Sequence, residues 1–111
     1  MAKHFAIPAD EITRLISRED GCIASDRITV DGRPVGYMYR EKPRNPSDSG
    51  WAFFAGDETD EYTNNPDNFD LYQLNTIANY DADIIPLLDA PIGSAYIRNW
   101  RGRLVPDRQR G

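Results

Sequence analysis

Val35-Gly-Tyr-Met-Tyr39 and, after a loop, Trp51-Ala-Phe-Phe-Ala55 decide the fold of this chain. Both runs are rich in aromatic and aliphatic residues, a composition that favours β-strands. The segment between them, Pro43 to Gly50, is rich in Pro, Asn, Ser and Asp and therefore predicts a loop. The large side chains of the two runs are expected in the hydrophobic core: Tyr37, Tyr39, Trp51 and Phe53.

A hairpin is predicted immediately upstream of Val35. Asp31-Gly32 lies between Ile28-Thr-Val30 and the Val35 run, and Asp-Gly between β-rich runs is a strong hairpin signal. Pro34 has no N–H to donate to a sheet, so it is expected to begin its strand or to face an edge. A further short strand is predicted from Cys22 to Ser25.

A first helix is predicted before these strands. Ile12, Leu15 and Ile16 recur at helical spacing, and the charges suit a helix, with Asp10 and Glu11 in its first turn and Arg14 and Arg18 in its last. This pattern predicts a helix from about Ala9 to Arg18, ended by Gly21.

A second helix is predicted from an Asp70 N-cap to about Asn79. Gln73 stands three residues after Asp70, as in a capping box. The flanking apolar pair, Phe69 and Leu74, has the spacing of a hydrophobic staple. The apolar face of the helix is predicted to consist of Leu71, Leu74, Ile77 and Ala78.

The remaining segments complete the prediction. Gly56 to Asn68 is a long polar loop, and loops of this length in compact domains are often functional. Ile84 to Leu88 is a short apolar turn interrupted by proline, and Ser94 to Arg98 predicts a last strand. Beyond Trp100 the chain is polar and is expected to be mobile.

These elements predict an α+β fold: a single small domain with a mostly antiparallel sheet and two main helices. A chain of 111 residues is long enough for one self-sufficient core. The domain is expected to span residues 1–100, with residues 101–111 as an arginine-rich C-terminal tail.

The charge distribution is uneven. The chain has a net charge of −5, but the stretch from Asn45 to Ile97 contains ten carboxylates and no Lys or Arg. The last fourteen residues instead hold five arginines against a single aspartate. An acidic surface attracts basic partners and repels nucleic acid and membrane surfaces. The sequence therefore predicts a partner-binding surface formed by Asp48, Asp57, Glu58, Asp60, Glu61 and Asp67.

No catalytic centre is predicted. His4 is the only histidine and no residue is placed to orient it, and Cys22, the only cysteine, lies in an apolar stretch that indicates a buried side chain. Zinc sites built from Cys and His are excluded by these counts. The acidic run of residues 57–61 lacks the spacing of an EF-hand, although its carboxylates leave a metal-dependent hydrolase as a remote alternative. No cofactor is expected.

A cytoplasmic location is expected. The N-terminal residues lack the apolar region of a signal peptide, no apolar run approaches the ~18 residues of a membrane span, and a single cysteine permits no internal disulfide. Membrane partners are therefore not expected. Nucleic-acid partners are not expected either, because the net charge is −5, although Trp100 beside Arg101 is a pair able to stack on a base.

Several separated motifs, in order along the chain, resemble a bacterial family formerly of unknown function, now the thirty-third class of polymorphic-toxin immunity proteins. The similarity extends from about Cys22 to Arg98. It rests on the following motifs: Ser25-Asp-Arg27, Val35-Gly-Tyr-Met-Tyr-Arg-Glu41, Asp48-Ser-Gly-Trp51, Phe54-Ala-Gly-Asp-Glu58, Tyr62, Asn75-Thr-Ile-Ala-Asn-Tyr-Asp81 and Ile84-Ile-Pro86.

The resemblance implies a protein that protects the toxin-producing cell by binding a cognate toxin. It implies no catalytic residues, and motif residues such as Gly36 and Gly50 suit close or turning backbone. An acidic surface would fit a toxin with a basic active site. The alternatives are a non-catalytic small-ligand or regulatory module, with its pocket between the sheet and the Asp70 helix, and the metal-dependent hydrolase.

Overall fold

The computed structural model describes residues 3–107, which form one six-stranded mixed sheet with a few short helices. The α-helices are short: α1 Asp26–Thr29, α2 Asp60–Thr63 and α3 Leu74–Tyr80, with 3-10 turns at Ala9–Glu11, Pro66–Asn68 and Ala82–Leu87. The strands are β1 Gly21–Ser25, β2 Tyr37–Arg40, β3 Asp48–Phe54, β4 Phe69–Gln73, β5 Ala95–Arg98 and β6 Leu104–Pro106.

The strand order across the sheet is β4-β1-β3-β2-β5-β6. β1 and β3 are parallel, and every other neighbouring pair is antiparallel. The predicted α+β class and the mostly antiparallel sheet are therefore confirmed. The runs from Val35 to Tyr39 and from Trp51 to Ala55 contribute β2 and most of β3. These strands pair directly, with Tyr37 opposite Phe54 and Tyr39 opposite Ala52.

One face of the sheet is covered and holds the core. Side chains alternate between the faces of a strand, so Met38 on β2 and Trp51 and Phe53 on β3 point to the same side. α3 and the turn at residues 82–87 lie against this side, and the indole N–H of Trp51 donates to the carbonyl of Leu88 at 3.0 Å. The buried core residues are Cys22, Ala24, Ile28, Val35, Met38, Trp51, Phe53, Leu74, Ile77, Ala78, Ile84 and Leu88.

The predicted hairpin around Asp31-Gly32 is wrong. Residues 26–29 form α1 instead, with the Ser25 hydroxyl accepting a hydrogen bond from the N–H of Arg27 as its N-cap. Ile28 and Thr29 are fully buried on this helical turn. Gly32 has φ +77° in the turn after α1, so the Asp-Gly signal marks a tight turn that leaves a helix rather than one that joins two strands.

The predicted helix from Ala9 to Arg18 is also wrong, because only Ala9–Glu11 forms a single 3-10 turn. The following segment is neither helix nor strand, and its backbone is bound by side chains of α3. The buried amide of Asn75 accepts from the N–H groups of Leu15 and Ile16, at 2.8 and 3.2 Å, and donates to the carbonyl of Thr13 at 2.9 Å. These bonds replace the ones that a helix would have made.

The predicted N-cap at Asp70 is wrong, because Asp70 lies on a strand that precedes the helix. Phe69–Gln73 form β4, which pairs along its whole length with β1, and the helix begins at Leu74 with Gln73 at its N-cap position. Leu74, Ile77 and Ala78 are buried as predicted, whereas Leu71 lies on β4 and is 71% exposed. The two predicted main helices thus become one seven-residue helix and a 3-10 turn.

The prediction of a polar, mobile chain after Trp100 is wrong for Leu104–Pro106. These residues form β6, an edge strand that pairs with β5, so Ser94–Arg98 is not the last strand. Residues 108–111, the remainder of the predicted arginine-rich tail, lie outside the described residues.

Candidate functional site

The face of the sheet opposite the core is the candidate site. One row of side chains on this face runs through Phe54, Tyr37, Ile97 and Val105, which stand opposite one another on β3, β2, β5 and β6. A second row runs through Leu71, Ile23, Ala52 and Tyr39 on β4, β1, β3 and β2. Six strands therefore carry a largely apolar surface that α3 does not cover.

Aromatic side chains occupy the centre of this open face. The Tyr39 and Phe54 rings are stacked with centroids 5.6 Å apart, and Tyr37 lies 6.1 Å from Phe54. Phe69 contacts Phe54 edge to face at 5.7 Å, and Tyr62 of α2 contacts Phe69 in the same way at 6.0 Å. Tyr37 and Tyr39, predicted in the core, are thus only half buried, whereas Trp51 and Phe53 are buried as expected.

The open face holds two depressions of about 850 and 350 Å³, which meet beside α2. Tyr39, Phe54 and Thr63 line both of them. The larger depression lies at the end of the sheet where β2 begins and β3 ends, and its walls include Arg33 and Arg98. The space between sheet and helix, predicted to hold a small-ligand pocket, is filled by core side chains.

Asp57 and Asp48, two of the predicted partner-binding acids, are paired within the chain. Asp57 Oδ1 accepts from Arg27 Nε at 3.2 Å, and Asp57 Oδ2 lies 3.2 Å from Arg33 Nη1. The hydrogen bond from Arg27 holds the pKa of Asp57 below its usual value. For Asp48, partial burial opposes ionisation, but backbone N–H groups of Arg44 and Gly50 outweigh it and lower the pKa.

Glu58 has a local structural role. Its carboxylate accepts from the backbone N–H groups of Ala55 and Gly56, both at 2.8 Å, and so fixes the turn after β3. These three carboxylates are bound within the chain, so their charges are only partly available to a partner.

Asp60, Glu61 and Asp67 are exposed. Asp60 and Glu61 form the first turn of α2, which the Thr59 hydroxyl caps by accepting from the N–H of Tyr62 at 3.1 Å. Asp67 lies on the next 3-10 turn, between α2 and β4. The structure therefore gathers three of the six predicted acids on one acidic rim beside the aromatic centre of the open face.

Arg98 forms a wall of the larger depression and ties it to the core side. Its guanidinium donates to the carbonyl of Val35 at 2.8 Å and to the carboxylates of Asp81 and Asp83. Asp81 also accepts from the N–H of Val35 at 2.9 Å. This arginine was counted with the basic C-terminal residues, but its charge is used inside the fold.

The chemistry-bearing side chains elsewhere are not gathered into a centre. Within residues 3–107, no three His, Cys, Asp or Glu side chains converge to hold a metal ion, so the hydrolase alternative lacks a ligand cluster there. Burial raises the pKa of the Cys22 thiol strongly, so it is a core residue, and His4 is exposed. No helix in the described part of the chain is long and apolar enough to cross a membrane.

The open aromatic face was missed by the sequence prediction, although a signal for it exists. In Tyr37-Met-Tyr39 and Ala52-Phe-Phe54 large side chains occupy both alternating positions, so one set must lie on each face of the sheet. A sheet covered by helix on one side leaves the second set uncovered.

Comparison with known proteins gives one match. A family model described as the immunity protein Imm33 domain matches residues 22–107, which is more than three quarters of the chain. No curated protein and no solved structure matches the chain.

Proposed function

The chain belongs to the Imm33 family of immunity proteins, and we propose that it neutralises a cognate bacterial toxin by covering it with the open face of its sheet. Immunity proteins in general bind a cognate toxin and are non-catalytic. The observation that carries the proposal is the partly exposed apolar surface on the face of the sheet opposite α3, where Leu71 and Ile97 are 71% and 45% exposed.

The composition of this face supports a protein partner. Soluble monomers rarely leave a large contiguous apolar patch in water without a function. Protein interfaces typically have an aromatic centre that supplies most of the binding energy and a polar rim. Here Tyr37, Tyr39 and Phe54 form such a centre, and Asp60 and Glu61 lie on the rim.

The acidic rim supports a basic toxin surface. Exposed charges mainly raise the association rate, because they steer the encounter of oppositely charged surfaces. A toxin that acts on nucleic acid would offer such a surface at its active site. In this proposal the chain acts in the cytoplasm of the bacterium that makes the toxin.

The first experiment compares two isoleucines. Ile97→Glu places a charge on the open face, and Ile92→Glu places the same charge on a loop that lines neither depression. The two side chains are 45% and 56% exposed, so neither change should unfold the protein. The probe is the product of a toxin-like reading frame, where sequencing of the flanking DNA finds one adjacent to this gene.

We expect Ile97→Glu to weaken binding of this probe at least tenfold and to abolish protection of cells that express it, and Ile92→Glu to do neither. Equal affinities of the two variants would exclude the open face as the interface.

The second experiment tests the acidic rim with a matched pair. Asp60→Asn with Glu61→Gln removes two charges from α2, and Asp10→Asn with Glu11→Gln removes two from the exposed 3-10 turn near the N-terminus. Only the first variant should lower the association rate and its dependence on salt. A change of the same size in both variants would mean that net charge acts, and not this rim.

A second candidate function is small-ligand binding at the larger depression. Its volume of about 850 Å³ is within the range of small-molecule sites, and Tyr37 and Arg33 would offer stacking and an anion contact there. A compound that raises the melting temperature of the wild-type protein but not of Tyr37→Ala, with no adjacent-gene product bound, would favour this function.

A further inference from the structure

The hairpin that joins β5 to β6 presents a single large aromatic side chain to solvent. Trp100 at its tip is 87% exposed, whereas the other tryptophan, Trp51, is 1% exposed. The guanidinium of Arg101 lies over the Trp100 ring, 4.7 Å from its centroid. At this exposure the indole of Trp100 makes almost no contribution to the packing of the core.

The tip is nevertheless held in one shape. The side-chain oxygen of Asn99 accepts from the N–H groups of Arg101 and Arg103, both at 3.0 Å. The N–H of Asn99 donates to the carbonyl of Arg103 at 2.8 Å, and the N–H of Gly102 donates to the carbonyl of Asn99 at 2.9 Å. Gly102 has φ +79°, as this tight turn requires.

The tip is also anchored to the rest of the domain. Arg98, itself bound to Asp81 and Asp83, donates to the carbonyl of Gly102 at 2.6 Å. A rigid turn that exposes an aromatic side chain loses little conformational entropy when a partner binds it.

The tip adjoins the open face but carries the opposite charge to the acidic rim. Ile97 on β5 and Asn99 at the start of the tip line the larger depression. Arg101 and Arg103 are exposed and form no ion pair with any residue in the range 3–107. Thr63 of α2 lines the same depression, so the acidic helix and the tip border one part of the open face.

We propose that Trp100 is an anchor of the toxin interface and inserts into an apolar pocket of the toxin that is rimmed by carboxylates. The inference rests on the proposed function. Arg101 and Arg103 would pair with those carboxylates while Asp60 and Glu61 on α2 meet a basic patch. A surface with separate acidic and basic patches fixes the orientation of the partner, since the reversed orientation would bring like charges together.

The geometry favours a protein over nucleic acid as the occupant. An exposed Trp beside arginines is able to stack on a base, but the exposed acids of α2 belong to the same face and would repel a phosphate backbone. The chain as a whole has a net charge of −5.

The test uses the two tryptophans as probes. The chain is labelled with 5-fluorotryptophan, which gives one fluorine resonance for Trp100 and one for Trp51, and the unlabelled product of the adjacent toxin-like gene is added. We expect the Trp100 resonance to shift and the Trp51 resonance, from the covered side of the sheet, to stay. Trp100→Ala should weaken binding about 30-fold, the loss typical of an interface anchor.

Charge reversal tests the rim of the partner pocket. Arg101→Glu with Arg103→Glu should weaken binding more at low salt than at high salt, whereas Arg14→Glu should not, because this exposed arginine lies in the segment that α3 binds on the covered side of the sheet. Because the side chains at the tip are exposed, the urea midpoint of each variant should equal that of the wild type.

The outcomes distinguish failure of the Trp100 anchor from failure of the proposed toxin-binding function. If the wild-type protein binds the adjacent-gene product but Trp100→Ala binds it equally well, the anchor is wrong and the proposed function stands. If the wild type does not bind it, the anchor role of Trp100 and the proposed function are both wrong. A Trp100 shift produced by a single-stranded RNA oligonucleotide and not by the protein would replace this inference with a nucleic-acid site.

Discussion

Replacing Gly36 by alanine tests how closely β2 and β3 approach at the wall of the larger depression. A Cβ at this position would stand 1.9 Å from the carbonyl oxygen of Ala55 and 2.8 Å from its carbonyl carbon. Gly36 does not have positive φ, so alanine is compatible with its backbone conformation and the cost is steric. The colliding group is backbone and has no rotamer by which to move away.

The magnitude follows from the displacement. Ordinary van der Waals contact begins at 3.4 Å, so the two backbones must separate by about 1.5 Å. Two hydrogen bonds depend on their positions: the N–H of Gly36 donates to Phe54 at 2.8 Å, and the N–H of Arg98 donates to Gly36 at 2.9 Å. Overpacking costs ~1–3 kcal/mol and each weakened bond up to ~1 kcal/mol, so we expect a loss of about 3 kcal/mol.

Urea unfolding followed by circular dichroism measures this loss. With a denaturant slope of ~1.5 kcal/mol/M, the midpoint should fall by about 2 M. Gly21→Ala is the control, because Gly21 also lies on the sheet without positive φ but its Cβ would be 3.3 Å from the nearest atom, the carbonyl oxygen of Tyr72. Its midpoint should move by less than half as much. Equal shifts in the two variants would refute the argument from close approach.

Three further predictions concern stability and reactivity. Asn75→Ala should cost ~1–3 kcal/mol in urea unfolding, because it frees the backbone groups of residues 13–16 that the buried amide binds; a loss below ~0.5 kcal/mol would contradict this. Since Arg27 lowers the pKa of Asp57, the pair should stabilise the fold fully above pH ~4, the unfolded pKa, and progressively less as the pH falls through the lower folded pKa. The urea midpoint should therefore fall less between pH 6 and pH 3 in Asp57→Asn than in the wild type. Cys22 should react with iodoacetamide only at the rate of unfolding, because it is buried and its thiol pKa is raised; rapid reaction of the native protein would show local opening of β1.

The sequence by itself determined most of the sheet and the family. The runs at residues 22–25, 35–39, 51–55 and 94–98 were predicted as strands, and each contributes to the sheet. Strand preference is a local property of aromatic and aliphatic side chains, so it is visible in a short window. The separated motifs place the resemblance to the immunity family at about Cys22 to Arg98, and the family model matches residues 22–107 and so also includes the start of the arginine-rich tail.

Helix positions depended on tertiary contacts. The spacing of Ile12, Leu15 and Ile16 is helical, yet the Asn75 amide binds this backbone in a non-helical form. Phe69 to Gln73 satisfies the rules for a helix start, yet pairing with β1 makes it a strand. A short segment has too few local hydrogen bonds to resist a partner that is distant in sequence, so its own pattern does not decide its conformation.

The candidate site was the part that only the tertiary structure decided. Composition located the acidic residues, but arginines outside the acidic stretch, Arg27 and Arg33, neutralise Asp57 and leave Asp60 and Glu61 as the exposed pair. Alternation places Tyr37 and Tyr39 on the face opposite Met38, but it does not say which face is covered. The packing of α3 and the turn at residues 82–87 over the side of the sheet that holds Met38 and Trp51 decides this, because a helix buries only the side of the sheet on which it lies.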